Sequence, residues 1–167
     1  MVNSLIQSFP PIADVCATQL ILGSMPGAAS LAAGQYYAHR QNAFWRIMGD
    51  LLGCAPDAPY AERVDALKRN GIAVWDVLHC CVRPGSLDSA IVRGSEVPNK
   101  FETLLQQCPH VRTILFNGTT AEAAFRRHCR ALLDDPQITF VRLPSTSPAH
   151  ASLRFAAKLA AWRAALA

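Results

Sequence analysis

The sequence predicts an α/β fold: a three-layer α/β/α sandwich in which helices cover both faces of a four-stranded parallel sheet. Two observations carry that expectation. Four short runs are largely apolar, three of them at successive positions and not alternate ones, so those strands are buried on both faces. Between them, apolar residues recur at helical spacing, which gives the strand–helix alternation of right-handed parallel crossovers.

Gln19-Leu20-Ile21-Leu22-Gly23 is the first run, and Ser24-Met25-Pro26-Gly27 follows as a loop with two turn-formers. From about Asn42 to Leu52, Phe44, Ile47, Met48, Leu51 and Leu52 share a helical face. A second helix is expected across Ala61 to Arg69, and Gly71 separates it from the second strand, Ile72 to Trp75. Lys100 to Gln107 reads as a short helix, and Arg112 to Phe116 as a strand ended by Asn117-Gly118. Thr119 with Glu122 suggests a capping box for a helix running to about Leu133. Ile138 to Leu143 is the fourth strand, and Ala149 to Ala165 the closing helix.

Length and composition agree with this reading. A chain of 167 residues, 51% hydrophobic and 17% charged, suits one domain over residues 1–167 with a sizeable core. No apolar run approaches the ~20 residues of a membrane span, so no membrane association is expected. Met1 to Pro11 lacks the basic start and apolar stretch of a signal peptide, which points to the cytoplasm. The net charge of +4 would suit a polyanionic partner without proving one. Six cysteines without a CxxC pair read as reduced thiols. His79-Cys80-Cys81 is the one Cys/His cluster, and adjacent side chains rarely converge on one ion, so no metal is expected.

In open parallel sheets, ligands bind outside the carboxyl ends of the strands. The loops there, residues 23–39, 76–89, 117–120 and 143–150, hold Tyr36, Tyr37, His39, Asp76, His79, Arg83, Ser145 and His150. A nucleophile elbow, a P-loop and a dinucleotide fingerprint are all absent. A triad of Ser145, Asp76 and either His39 or His150 can be assembled on paper only. Leu143-Pro144-Ser145-Thr146-Ser147-Pro148 could form an anion site from hydroxyls and free N–H groups. The plainer alternative has Ser147 as a helix cap with Pro148 in the first turn.

Taken together, these segments resemble the uracil-DNA glycosylase superfamily, and within it the hypoxanthine-DNA (deoxyinosine) glycosylase branch. The resemblance rests on Leu22 to Gly27 with Ser30-Leu31, Tyr36 to Trp45, Gly71 to Leu78, Gly85 to Ser89, Phe116 to Gly118, and Leu143 to Ala149. It implies a uracil-DNA glycosylase-like sheet between helices and monofunctional hydrolysis of a base–sugar bond, with no cofactor. It also implies a monomer acting on duplex DNA that contains deaminated bases, with single strands left open as a second substrate. Gly23, Ser24, Met25, Pro26 and Gly27 would line the base pocket. Met25 stands where relatives carry a catalytic Asn or Asp, and a thioether can neither orient a water nor act as a base. In this branch the catalytic amide comes from the Asn after the aromatic loop, here Asn42. Tyr37 falls where relatives stack the flipped base, and Asp76 where uracil enzymes of the family read the pyrimidine edge. Ser145, Thr146 and Ser147 belong to the loop that presses on the damaged strand, with His150 beside it. Two departures stand out: Arg40 replaces an expected Pro, and His150 an expected Asn. Leu143 also occupies the place of a family His, so that electrophile is missing.

The implied chemistry is physically coherent. The base must be extruded from the stack before its glycosidic bond is reachable, and stacking on Tyr37 would return ~1–3 kcal/mol. N–H groups of residues 24–27 would serve the base edge, while Asn42 would hold the water by its amide oxygen. An ionised Asp76 would accept from N1–H of hypoxanthine. Each residue also has a simpler reading: Asn42 as a helix cap, Tyr36 or Tyr37 as packing, Asp76 as a loop cap or partner of Arg83. Arg83 is the favoured phosphate contact, ahead of the helical set Arg126, Arg127 and Arg130. Two other functions stay open: a mismatch-specific uracil or thymine glycosylase, and an inactive damage-binding module suggested by Met25.

Overall fold

A computed structural model describes residues 4–167. In chain order the strands are β1 (Leu5–Gln7), β2 (Gln19–Gly23), β3 (Ile72–Asp76), β4 (Leu78–Val82), β5 (Val97–Pro98), β6 (Thr113–Asn117) and β7 (Thr139–Leu143). The helices are α1 (Ala28–Ala33), α2 (Phe44–Leu52), α3 (Tyr60–Arg69), α4 (Phe101–Gln107), α5 (Thr119–His128) and α6 (Phe155–Leu166). The central sheet has the order β3-β2-β6-β7 and is parallel throughout. The expected four-stranded parallel sheet is therefore present, with the expected strands in it.

Burial explains why these runs are strands. Leu20, Ile21 and Leu22 are all fully buried, as only a strand covered on both faces allows. On one face, Phe116 and Phe140 pack with Phe125 of α5, and Phe101 of α4 bridges Phe125 and Trp75. The opposite layer joins α2 to α6 through an edge-to-face contact of Phe44 and Trp162, ring centroids 6.2 Å apart. Trp162 Nε1 then donates to Pro144 O at 3.0 Å, which ties α6 to the loop after β7.

Four local expectations are corrected. The stretch after Asp76 is not all loop: β4 lies there, paired antiparallel with β1 and β5 in a second, three-stranded sheet. The helix after β6 stops at His128, and a separate 3-10 turn covers Arg130–Asp134, because Cys129 leaves helical geometry at φ −124°, ψ 35°. No Thr119 capping box forms. Gly118 occupies the cap position at φ 94°, while Glu122 pairs with Arg126 at 3.0 Å and Arg142 at 3.4 Å. The closing helix starts at Phe155, not Ala149, so Ser147 does not cap it. Ser147 Oγ instead accepts from Ala149 N–H at 3.2 Å in a local turn.

Candidate active site

The loops that leave β2, β3, β6 and β7 at their carboxyl ends enclose a cavity of about 340 Å³. That size is at the small end for specific small-molecule sites. Gly23 ends β2 beneath it. A Cβ there would fall 2.6 Å from Asp76 Oδ1 and 3.1 Å from Tyr37 Oη, so only glycine lets both groups close over the strand.

The loop from Ser24 to Gly27 is fixed by the chain after β4. Ser24 Oγ donates to Asp88 Oδ2 at 2.6 Å, and Ala28 N–H donates to Ser86 Oγ at 2.9 Å. Arg83 donates from Nε to Gly85 O at 3.0 Å and from Nη2 to Pro26 O at 2.5 Å, and Nη1 lies 3.7 Å from Asp88. Its side chain is 0% exposed. This corrects the expectation of a surface phosphate contact: Arg83 is a brace between two loops, and its guanidinium faces carbonyls, not solvent. Met25 and Pro26 are buried in the same loop, and both line the cavity.

The two adjacent tyrosines divide their roles. Tyr36 packs in the core, donates from Oη to Pro10 O at 3.0 Å, and gives its carbonyl to Trp45 Nε1 at 2.8 Å. Tyr37 turns toward the cavity. Its φ of 54° is the one positive value at a non-glycine residue among those described, a conformation costing of order 1–3 kcal/mol. Its ring stacks on Phe44 with centroids 4.0 Å apart, and its buried Oη has no hydrogen-bond partner.

Asn42 lines the cavity and also satisfies the start of α2, since Oδ1 accepts from Phe44 N–H at 3.0 Å. The bond meets one free N–H group at the start of α2 from a local turn, while the cap residue itself is Ala43, without a side-chain cap bond. That bond also orients the amide, leaving the second lone pair of Oδ1 uncommitted. Opposite, Asn117 and Thr146 clamp the loop after β7 to β6. Asn117 Nδ2 donates to Thr146 Oγ1, and Thr146 N–H donates to Asn117 Oδ1, each at 2.9 Å. Thr146 O accepts from Ala43 N–H at 2.9 Å, so this loop also positions the residue next to Asn42. Thr146 is fully buried with its hydroxyl engaged, which corrects its expected role as a direct strand contact. Ser145 and Ser147 remain half-buried along the rim, whereas His150 is exposed and is not part of the cavity wall.

Asp76 is the electrostatic centre of the site. It is 3% exposed, and Oδ2 has no hydrogen-bond partner. Burial, reinforced by the charge of Asp88 and opposed by Arg83, pushes its carboxyl up to about 7. The expected pairing of Asp76 with Arg83 is not made, because Arg83 is held by the two carbonyls. Burial likewise drives the Tyr36 and Tyr37 phenols above their ordinary value, so both stay neutral. Among the described residues, no three His, Cys, Asp or Glu side chains are grouped to hold a metal ion.

The cavity thus gathers residues 23–27, Tyr37, Asn42, Asp76 and residues 145–147. A planar ring system, a carboxyl at its edge and a fixed amide suit a flat heterocycle presented beside a water. Residues 10–166 match the family model described as the uracil DNA glycosylase superfamily. The chain belongs to that superfamily. A protein named hypoxanthine DNA glycosylase from Methanosarcina barkeri is 42% identical over 113 residues, 67% of this chain and 70% of that one. A second of that name, from Methanosarcina acetivorans, is 40% identical over 116 residues, covering 69% and 72%. A solution NMR structure of a candidate uracil DNA glycosylase from M. acetivorans superposes with a TM-score of 0.78. It is 33% identical, over 96% of this chain and 98% of that one. The superfamily fold is accordingly shared. Sequence reasoning missed Asn117, Ser86 and Asp88 as supports; an Asn-Gly pair closing a strand reads only as a turn.

Proposed function

We propose that this superfamily member is a monofunctional glycosylase that hydrolyses the N-glycosidic bond of deaminated bases in DNA, chiefly hypoxanthine. The observation that carries the reading is the cavity itself: an aromatic ring, a buried unpartnered carboxyl and a braced amide around a space sized for one base. The relatives named hypoxanthine DNA glycosylase support the choice of base. In this reading Tyr37 stacks the extruded base and Asn42 holds the attacking water through its free lone pair. Ser145, Ser147 and His150 face the strand, while Thr146 and Arg83 keep the loops in place. The enzyme acts as a monomer in the cytoplasm.

The test is direct. Purified protein is incubated with duplexes and single strands carrying inosine, uracil or a G·T mispair, and abasic sites are cleaved with alkali. Scission at inosine is the expected result. Scission confined to uracil or G·T would favour a mismatch-specific enzyme, and binding without scission on every substrate would leave a damage-binding module.

A further inference from the structure

We propose that Asp76 acts as a neutral acid: its carboxyl hydrogen, not a negative charge, meets the base and stabilises the electrons the base gains on leaving. The proposal rests on the glycosylase reading above and names a catalytic group within it.

The geometry sets the protonation state. Asp76 closes β3 directly beside Gly23, with Oδ1 pressed so close to the Gly23 Cα that no Cβ fits between them. Oδ2 is sealed from water with no donor in reach. The charged and titratable groups around it are few. Tyr36 and Tyr37 reach it from the segment between α1 and α2, and both phenols are neutral. Asp88 brings a like charge from the chain after β4, although Ser24 donates to it and Arg83 lies 3.7 Å away. Arg83 is the one cation acting on Asp76, and its bonds go to Pro26 and Gly85. A carboxylate in such a place would hold a full charge on a buried group with nothing donating to Oδ2, a state that costs several kcal/mol. Protonation removes that cost. It is also how an apolar site keeps a carboxylic acid neutral so that it can donate a hydrogen bond.

That donor suits the chemistry. When the bond from C1′ to the base nitrogen breaks, its electron pair enters the ring, and a ring carbonyl oxygen takes on negative charge. An O–H group there is worth more in the transition state than before it, which is the condition for catalysis. A carboxylate at the same point would repel the departing anion. Water adds to C1′ and loses its proton to solvent, the released base takes a proton from solvent, and Asp76 keeps its own.

The experiment is single-turnover release of hypoxanthine from a duplex, from about pH 5 to about pH 9, for the wild type, Asp76→Asn and His39→Gln. The wild-type rate is expected to be level in acid and to fall roughly tenfold per pH unit above neutrality. Asp76→Asn keeps an N–H donor in place, so it should cleave more slowly at a rate independent of pH. His39→Gln removes the imidazole on the wall, where Asp88 also stands hydrogen-bonded to Ser24, and should keep the falling limb. A wild-type rate that rises through neutrality, a limb that survives in Asp76→Asn, or a limb lost in His39→Gln would overturn the proposal. Wild-type protein that cuts none of the duplexes at any pH would overturn the glycosylase reading itself, and this proposal with it.

Discussion

Removing the Asn42 side chain separates two jobs performed by one oxygen. Oδ1 accepts from Phe44 N–H at 3.0 Å, so Asn42→Ala leaves an unsatisfied donor at the start of α2. Losing such a hydrogen bond typically costs ~1 kcal/mol, or roughly 2–4 °C in a chain of this size. If the second lone pair also orients the water, single-turnover cleavage should fall by roughly 10²–10³-fold, equivalent to ~3–4 kcal/mol at the transition state. Binding to the damaged duplex should barely change, because the lost contact acts after binding. Asn42→Ser supplies the control. A serine hydroxyl accepts the same N–H two residues on, so melting should return to the wild-type temperature, but it is too short to reach where the amide pointed. Stability should therefore recover while the rate does not. A rate loss in Asn42→Ala of less than about fivefold, or recovery of rate in Asn42→Ser, would show that Asn42 supports the start of α2 and nothing more.

The sheet was legible because doubly buried strands must be continuously apolar, and residues 19–23, 72–76 and 113–117 are so nearly that. The second sheet was not, for a matching reason. β1 has three residues and β5 has two, and β4 alternates between buried Leu78 and exposed His79 without an apolar face long enough to read. Pairing with each other, not local preference, makes them strands. The cavity wall at residues 23–27, Tyr37, Asn42 and Asp76 could be anticipated from strand-end topology and the family resemblance. The burial of Arg83 could not, since it depends on carbonyls of Pro26 and Gly85 turning toward it. An arginine between a strand and a Pro-Gly turn otherwise reads as surface. The features that break local rules also gather here: a left-handed Tyr37, an orphaned carboxyl and a glycine that admits no Cβ. Such conflicts are tolerated where a site needs them, and they are where reading from local sequence fails.

Gly23→Ala should keep the protein folded but abolish cleavage, because its methyl group displaces Asp76 and Tyr37 from the cavity floor; a fully active variant would refute the contact. Arg83→Ala should lower stability in urea by about 3–5 kcal/mol, because it leaves the Pro26 and Gly85 carbonyls and Asp88 without their buried cation, without changing the salt dependence of DNA binding. A flatter salt slope would instead return Arg83 to the DNA face. The remaining prediction concerns Asp76 and pH. Its carboxyl titrates near 3.8 in the unfolded chain and at about 7 in the folded one, so between these values the folded state binds the extra proton. Stability must then fall as pH rises through that window, and level off above it. At ~1.4 kcal/mol per pH unit the loss is of order 4 kcal/mol by neutrality. Asp76→Asn carries no charge at any pH and lacks this penalty. Its urea midpoint should therefore climb relative to the wild type from about pH 4 to about pH 7, then hold a constant lead. A lead that does not vary with pH would mean the carboxyl titrates normally in the folded protein. In that case burial does not hold it neutral, no stability is given up by its ionisation, and the carboxyl would meet the departing base as an anion.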